Sequence, residues 1–237
     1  MYKRQDNKVK KLSILDYGCG QGGDIQKFFH AKVENYVGID PDSHGIHSST
    51  NGAISRYNNF RRKMPNFPNM EFIIGDGGAK LNLVAQENAI GKMSDSNRNL
   101  IETIFGSSED NLSKRKFDVF NCQLMIHFLL KNDTTWSNFC SNINNFLADD
   151  GYVLITTFDG NMIHDLFNKN LGRIQENYAT EEGVSKKFFE YKSSFDYKMK
   201  DIDKTGLSYS AFVTIFMEDD NYDTEYIVTE KFLTSSL

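Results

Sequence analysis

Within "SILDYGCGQGGDIQKFF", Gly18, Gly20 and Gly23 have the spacing of a fingerprint that turns the chain tightly and brings its backbone against a nucleotide, and Gly22 adds a further glycine. Taken alone, that spacing suits a nicotinamide or flavin dinucleotide. The neighbouring acids argue otherwise. Asp16 and Asp24 bracket the glycines, and Asp40 and Asp76 end the later segments "VENYVGID" and "MEFIIGD". A pyrophosphate beside Asp16 meets like charge, whereas a sulfonium or ammonium is attracted to it. The expected ligand is therefore S-adenosylmethionine, which carries both cations. Asp40 is placed to accept from the ribose hydroxyls and Asp76 from the adenine amino group. Taken singly, Asp16 could equally cap the following loop, and the "GDGG" around Asp76 is also an ordinary turn.

These residues need a scaffold that gathers them. "KLSILDY" reads as a buried strand, followed by a tight loop and a helix, "DIQKFFHA". "VENYVGID" is a second strand, followed by a polar amphipathic stretch from Ser43 to Arg62 that Pro65 and Pro68 close. "MEFIIGD" is a third strand ending at Asp76. Residues 77–116 read as a polar insertion in which "NLIETIF" is the one expected helix. "KFDVFNCQ" predicts a fourth strand, "WSNFCSNINNFL" a helix, and "DGYVLITTFDG" a fifth strand. Strands alternating with helices imply an α/β fold with a doubly wound parallel sheet, whose ligands sit at the carboxyl ends of its strands. Beyond Gly160, "KFFEYKSSFDYKM", "LSYSAFVTIFME" and "TEYIV" predict antiparallel strands, and "TEKFLTSSL" is left unfinished.

Composition narrows the classes. A chain of 237 residues suits one domain, and 39% hydrophobic with 25% charged residues is a globular composition. There is no apolar run of membrane-spanning length, and "MYKRQDNKVKK" is not followed by the apolar segment of a secretory signal. Three scattered cysteines suit a reducing compartment and lack metal-ligand spacing. A net charge of −5 argues against coating long nucleic acid, and the short clusters Arg61-Arg62-Lys63 and Lys114-Arg115-Lys116 read as solvated faces.

The order "LDYGCGQGGD", "VGIDPD", "FIIGD", "FDVFNCQLMIHFLL", "GYVLITTFDG" resembles the mRNA cap guanine-N7 methyltransferases, especially the methyltransferase domains of capping enzymes of large DNA viruses. The glycine loop is shared by many class I methyltransferases, whereas "NCQLMIHF" resembles the family's Cys-Gln-x-x-x-His-Tyr segment, with Phe128 in place of the Tyr. The resemblance implies a Rossmann-like class I fold with a carboxyl-terminal antiparallel extension. It implies one methyltransferase domain over 1–237: a cofactor-binding core at about 12–160, containing the insertion, and a cap-binding extension at about 161–237. The family's first and last segments are missing, so the chain reads as truncated at both ends.

The same resemblance implies that Gln123 and Leu124 lie beside S-adenosylmethionine, with Asp16, Gly18, Gly20, Gly22, Asp40 and Asp76. His127, Phe128 and Glu225 would contact the cap guanine and Arg56 its phosphates; Gln21 stands where cellular members have Lys. The implied reaction is methylation of guanine N7 by positioning residues, with no acid or base and no metal. Capped mRNA is the implied partner, with other capping-enzyme domains or a stimulatory subunit, in a cytoplasmic, viral-factory, virion or nuclear setting. Two other classes stay open. One is a class I methyltransferase acting on a small molecule or another RNA position; the other is a degenerate module that binds cofactor or cap without turnover. Without the resemblance, His127 would be a core histidine and Glu225 a surface strand acid.

Overall fold

The computed structural model describes residues 11–214 and 221–237. The basic stretch 1–10 and residues 215–218 of the expected strand "LSYSAFVTIFME" lie outside the described residues. The elements in chain order begin with β1 (Leu12–Tyr17), α1 (Ile25–His30), β2 (Val33–Asp40), α2 (Ser43–His47), α3 (Ala53–Lys63) and β3 (Asn69–Ile74). Next come α4 (Leu83–Ile90), α5 (Asp95–Phe105), β4 (Gly106–Ser108), β5 (Asn111–Leu112) and β6 (Phe117–Gln123). Then follow α6 (Ile126–Leu129), α7 (Asp133–Phe146), β7 (Leu147–Thr156), α8 (Gly160–Lys169), β8 (Arg173–Ala179), β9 (Ser185–Ser193), β10 (Ser208–Val213), β11 (Asp223–Tyr226) and α9 (Glu230–Ser236).

The chain divides into two compact units, and residues 126–136 belong with the carboxyl-terminal one rather than with the core where the sequence places them. The first unit holds the described residues up to Met125 together with Ser137–Thr156. Its sheet is five-stranded and parallel, in the order β3-β2-β1-β6-β7. Alternation along β1 decides both faces. Ile14 joins Phe28, Tyr36, Tyr57, Phe67 and Phe72 on one side. Tyr17 packs against Phe120 and Phe139 on the other, with ring centroids 5.6 and 5.3 Å apart. Strand order reverses at β1, so the gap between the carboxyl ends of β1 and β6 is the topological switch point where such sheets take ligands.

One expectation for this unit is refined and another corrected. The polar stretch Ser43 to Arg62 is two helices, because Ser48 donates to Asn51 Oδ1 at 2.6 Å and Ser55 to the Ser49 carbonyl at 2.9 Å, side-chain bonds that compete with a continuous helix. Residues 77–116 contain α4 as well as α5, and the stretch is stitched to the end of β3. Asn97 accepts from Ile74 N and donates to Ile74 O, both at 2.9 Å, while Gln86 accepts from Asp76 N at 2.8 Å and donates to Asp76 O at 2.9 Å. This segment is thus the crossover from β3 to β6. Helix α4 is short, and its start is fixed by the Asn82 side chain accepting from Ala85 N at 2.9 Å, a cap that a periodicity reading overlooks.

The second unit contains Ile126–Trp136 and the described part of Thr157–Leu237. It is built on an antiparallel sheet in the order β11-β10-β9-β8, of which the alternating pattern predicts β9, β10 and β11 as antiparallel strands. Its core gathers Phe167, Ile202, Leu207, Tyr209, Ala211 and Ile227. Helix α8 and strand β8 were not expected. The helix is capped by Asp159, whose carboxylate accepts from Asn161 N at 2.8 Å, and the unfinished tail becomes α9, capped by Thr229.

Candidate functional site

The glycine loop joins β1 to α1 in the first unit, and its conformation is one that side chains resist. Gly18, Gly20 and Gly22 have φ of 72°, 49° and 71°. A Cβ on Gly18 would lie 2.7 Å from Met125 Cβ. Around Gly20 and Gly23 a Cβ would meet nothing within 4 Å, so this part of the loop offers bare backbone to open space.

Asp40, the last residue of β2, is fastened to that loop. Its Oδ2 accepts from Gly20 N and its Oδ1 from Asp42 N, each at 2.8 Å. A carboxylate has about four lone-pair sites, so two remain for a pair of hydroxyls. We expect Asp40→Ala to weaken S-adenosylmethionine affinity by about a hundredfold, given charge-assisted bonds of roughly 1.5–3 kcal/mol each, and Asp40→Asn to weaken it less. Calorimetric titration showing unchanged affinity in both variants would refute this role.

Asp16 lies deeper than the sequence suggests, only 5% exposed. Tyr36 Oη donates to its Oδ2 at 2.7 Å and Asn121 Nδ2 to its Oδ1 at 2.6 Å. Burial drives its pKa up to about 7; the Asn121 and Tyr36 hydrogen bonds oppose the rise, and the charges of Asp24 and Asp40 add to it. Among the described residues no cationic side chain pairs with Asp16 or Asp40. A site holding buried negative charge without its counterion fits a ligand that brings the cation itself. The donor set therefore suits S-adenosylmethionine and disfavours a pyrophosphate.

The network continues outward. Asn121 Oδ1 accepts from Gln123 Nε2 at 2.9 Å, and Gln123 Oε1 accepts from Thr156 Oγ1 at 2.6 Å. Asp16 thereby fixes the orientation of the Gln123 amide at the end of β6. The sequence reading gave Asn121 and Tyr36 no part in this. The available signal was a polar residue inside the apolar strand "FDVFNCQ". Leu124 follows at φ 53°, a conformation uncommon for a side chain of its size, and leaves that side chain 53% exposed.

The remaining first-unit candidates are placed as follows. β3 ends at Ile74, so Asp76 lies two residues past the strand, and its Oδ1 accepts from Gly78 N at 2.8 Å to close a turn. It stays at the same sheet edge, because Gly75 N donates to Asp40 O at 3.0 Å. Arg56 is turned to its own loop, with Nε donating to Asn51 O at 3.0 Å. The structure thus gathers Asp16, the glycines, Asp40, Asp76, Gln123 and Leu124 at one edge of one sheet, and gives the Arg56 Nε a local partner.

In the second unit, His127 on α6 and Glu225 on β11 come together across nearly a hundred residues of chain. His127 Nε2 lies 2.7 Å from Glu225 Oε2, and the His127 side chain is 7% exposed. The distance is that of an ion pair, yet the angles do not make a directed hydrogen bond, and both ring nitrogens and Oε2 are buried without one. The angles decide the chemistry here: both groups keep donor and acceptor capacity that a ligand can meet. Phe128 packs its ring on His127, centroids 4.1 Å apart, while remaining 48% exposed.

Comparison with known proteins identifies a family. The family profile described as "mRNA (guanine-N(7))-methyltransferase domain" matches residues 1–234. A "Probable mRNA-capping enzyme" of Acanthamoeba polyphaga mimivirus is 39% identical over 226 residues, covering 94% of this chain and 18% of that protein. "mRNA cap guanine-N(7) methyltransferase 1" of Arabidopsis thaliana is 25% identical over 169 residues, covering 69% of this chain and 36% of that protein. The chain therefore spans well under half the length of these relatives. A solved S-adenosylmethionine-dependent methyltransferase from Clostridium acetobutylicum superposes with a TM-score of 0.47 at 16% identity, covering 94% of this chain and 70% of that one.

Proposed function

Because the chain belongs to the mRNA (guanine-N(7))-methyltransferase domain family, we propose that it transfers the methyl group of S-adenosylmethionine to N7 of the guanine cap of mRNA. The observation that carries this reading beyond the fold is the buried His127–Glu225 pair with its unmet hydrogen-bonding capacity. Guanine presents N1–H and N2–H2 as adjacent donors, which one carboxylate bridges, and His127 with Phe128 supplies faces on which a purine stacks.

When bound, S-adenosylmethionine supplies a methyl group on a sulfonium leaving group. Guanine N7 has a free lone pair, so the attacking step removes no proton and needs no general base. The task of the protein is placement. The Gly20 backbone and Asp40 hold the nucleoside, the Asp16–Asn121–Gln123 network sets the polar groups at the end of β6, and Glu225 with His127 orients the purine. Orientation of this kind contributes up to roughly 7–11 kcal/mol to lowering a barrier. A purine methylated at N7 carries positive charge, which the Glu225 carboxylate would stabilise.

The reading extends to capped RNA as the partner, together with other capping-enzyme domains or a stimulatory subunit, in a cytoplasmic setting. Among the described residues no helix is long and apolar enough to cross a membrane. The direct experiment supplies labelled S-adenosylmethionine with GpppA-capped and uncapped RNA. Label is expected on the capped RNA alone. Label on uncapped RNA, or cofactor binding without transfer to either, would overturn the proposal.

A further inference from the structure

A groove of about 720 Å3 runs along α3 in the first unit, lined by His47, Ser48, Ser49, Asn58, Arg61 and Arg62 among others, none of them a carboxylate. Arg61 also lines a second cleft of about 490 Å3 that adds Asn35, Tyr57, Asn69 and Arg115. The one acid there, Glu71, is already paired with Arg115 at 3.1 Å. Arg61 leans on Tyr57, with its guanidinium carbon 5.9 Å from the ring centroid and Nη1 donating to the hydroxyl at 3.3 Å. Arg62 donates to Asn59. Among the described residues neither arginine is neutralised by a carboxylate, so both charges face solvent. That is a local excess of positive charge on a chain whose net charge is −5.

The amino-terminal end of α3 lies beside the cofactor loop. A Cβ on Gly22 would lie 3.2 Å from Ala53 Cα at the start of α3, and one on Gly45 of α2 would lie 3.5 Å from the Gly20 carbonyl carbon. From there α3, about 16 Å long by its eleven residues, carries Asn58, Arg61 and Arg62 away from the loop. Positive charge at a helix carboxyl end also complements the helix dipole. The dipole does not account for an acid-free groove joined through Arg61 to a second arginine-bearing cleft.

We propose that this groove binds the phosphate backbone of the RNA strand that follows the cap, with Arg61 and Arg62 as its principal contacts. The inference rests on the functional reading above, which supplies a polyanion of single-stranded RNA attached to the substrate guanine. Apart from Ile54, the groove's lining residues are hydrogen-bonding or cationic side chains. Tyr57, the aromatic of the second cleft, is buried. The groove therefore reads charge rather than sequence, and its binding weakens steeply with salt.

The test compares the full chain with the Arg61→Ala/Arg62→Ala double variant and with Arg62→Glu; both side chains are exposed, so the fold is retained. Methylation is measured on the GpppA dinucleotide and on a GpppA-capped single-stranded oligonucleotide, and binding of the uncapped oligonucleotide is followed by fluorescence anisotropy across a salt series. We expect KM for the capped oligonucleotide to rise about tenfold, the slope of log affinity against log salt to flatten by about 1.4 in the double variant, and KM for GpppA to stay unchanged. If GpppA is methylated normally but oligonucleotide binding is indifferent to both variants, the groove proposal falls and the functional reading stands. If the oligonucleotide binds with an arginine-dependent salt slope but no methyl is transferred, the groove stands and the functional reading falls. Absence of RNA binding by the unaltered chain overturns the groove proposal outright.

Discussion

Replacing Asp16 with Asn is expected to stabilise the ligand-free protein above neutral pH while weakening its hold on S-adenosylmethionine. The sign follows from burial. Asp16 is held up at about 7 against an ordinary 3.8, so between those values the folded chain binds a proton that the unfolded chain has lost. Stability therefore falls as pH rises through that window. Above it, the ionised carboxylate costs on the order of 4 kcal/mol. Desolvation sets the size of the effect; the hydrogen bonds from Asn121 and Tyr36 oppose it, and the charges of Asp24 and Asp40 add to it.

Asn keeps the shape. Its oxygen accepts from Asn121, and its amide donates to the Tyr36 hydroxyl, which accepts as readily as it donates. Thermal unfolding at about pH 8 should place Asp16→Asn up to roughly 10 °C above the parent, with the gap closing near about pH 4. Cofactor affinity of the parent should rise with pH up to about 7, because a bound cation favours the ionised acid. The variant should bind about tenfold or more weakly, with that pH dependence lost. A variant less stable than the parent at pH 8, with the parent's pH slope intact, would show that Asp16 is purely a structural acceptor.

Glu225→Gln is the second large effect. A carboxylate accepts from both guanine donors, whereas an amide in the same place offers one oxygen and turns an NH2 toward the other donor. A buried donor left without an acceptor costs about 1–3 kcal/mol, more where the lost partner was charged. We expect kcat/KM on GpppA-capped RNA to fall by about a hundredfold or more. The affinity for S-adenosylmethionine and the melting temperature should change little, since Glu225 makes no directed hydrogen bond through Oε2 in the fold. An inosine-capped RNA, which lacks the N2 amino group, should be a poor substrate for the parent and should lose far less on going to the variant. Equal losses on both caps would remove Glu225 from guanine recognition.

What the chain alone determined is the framework of the first unit. The apolar runs "SILDY", "YVGID" and "FDVFNC" can only be buried parallel strands, and the glycine turn between β1 and α1 follows from positive φ at Gly18, Gly20 and Gly22. Asp40 at the end of β2 is legible in the same way, and the acids around the glycine loop carry the expectation of a cationic ligand. Local pattern carries such features because each depends on residues adjacent in sequence.

Only the tertiary structure decided the partners. Asp16 meets Asn121 across 105 residues and Tyr36 across 20, and those contacts turn a strand-end acid into a buried acid with a pKa of about 7. Helix α4 has a cap and little periodicity, and Gln86 within it is recognised as structural only once its amide is seen closing Asp76. His127 and Glu225 read separately as a core histidine and a surface acid, and it is their 2.7 Å approach that supports reading them together. Arg61 and Arg62 read as a solvated cluster until the fold set them along an acid-free groove. The physical reason is common to all four: desolvation and charge act through space, and the distances that govern them are fixed by packing between segments far apart in the chain.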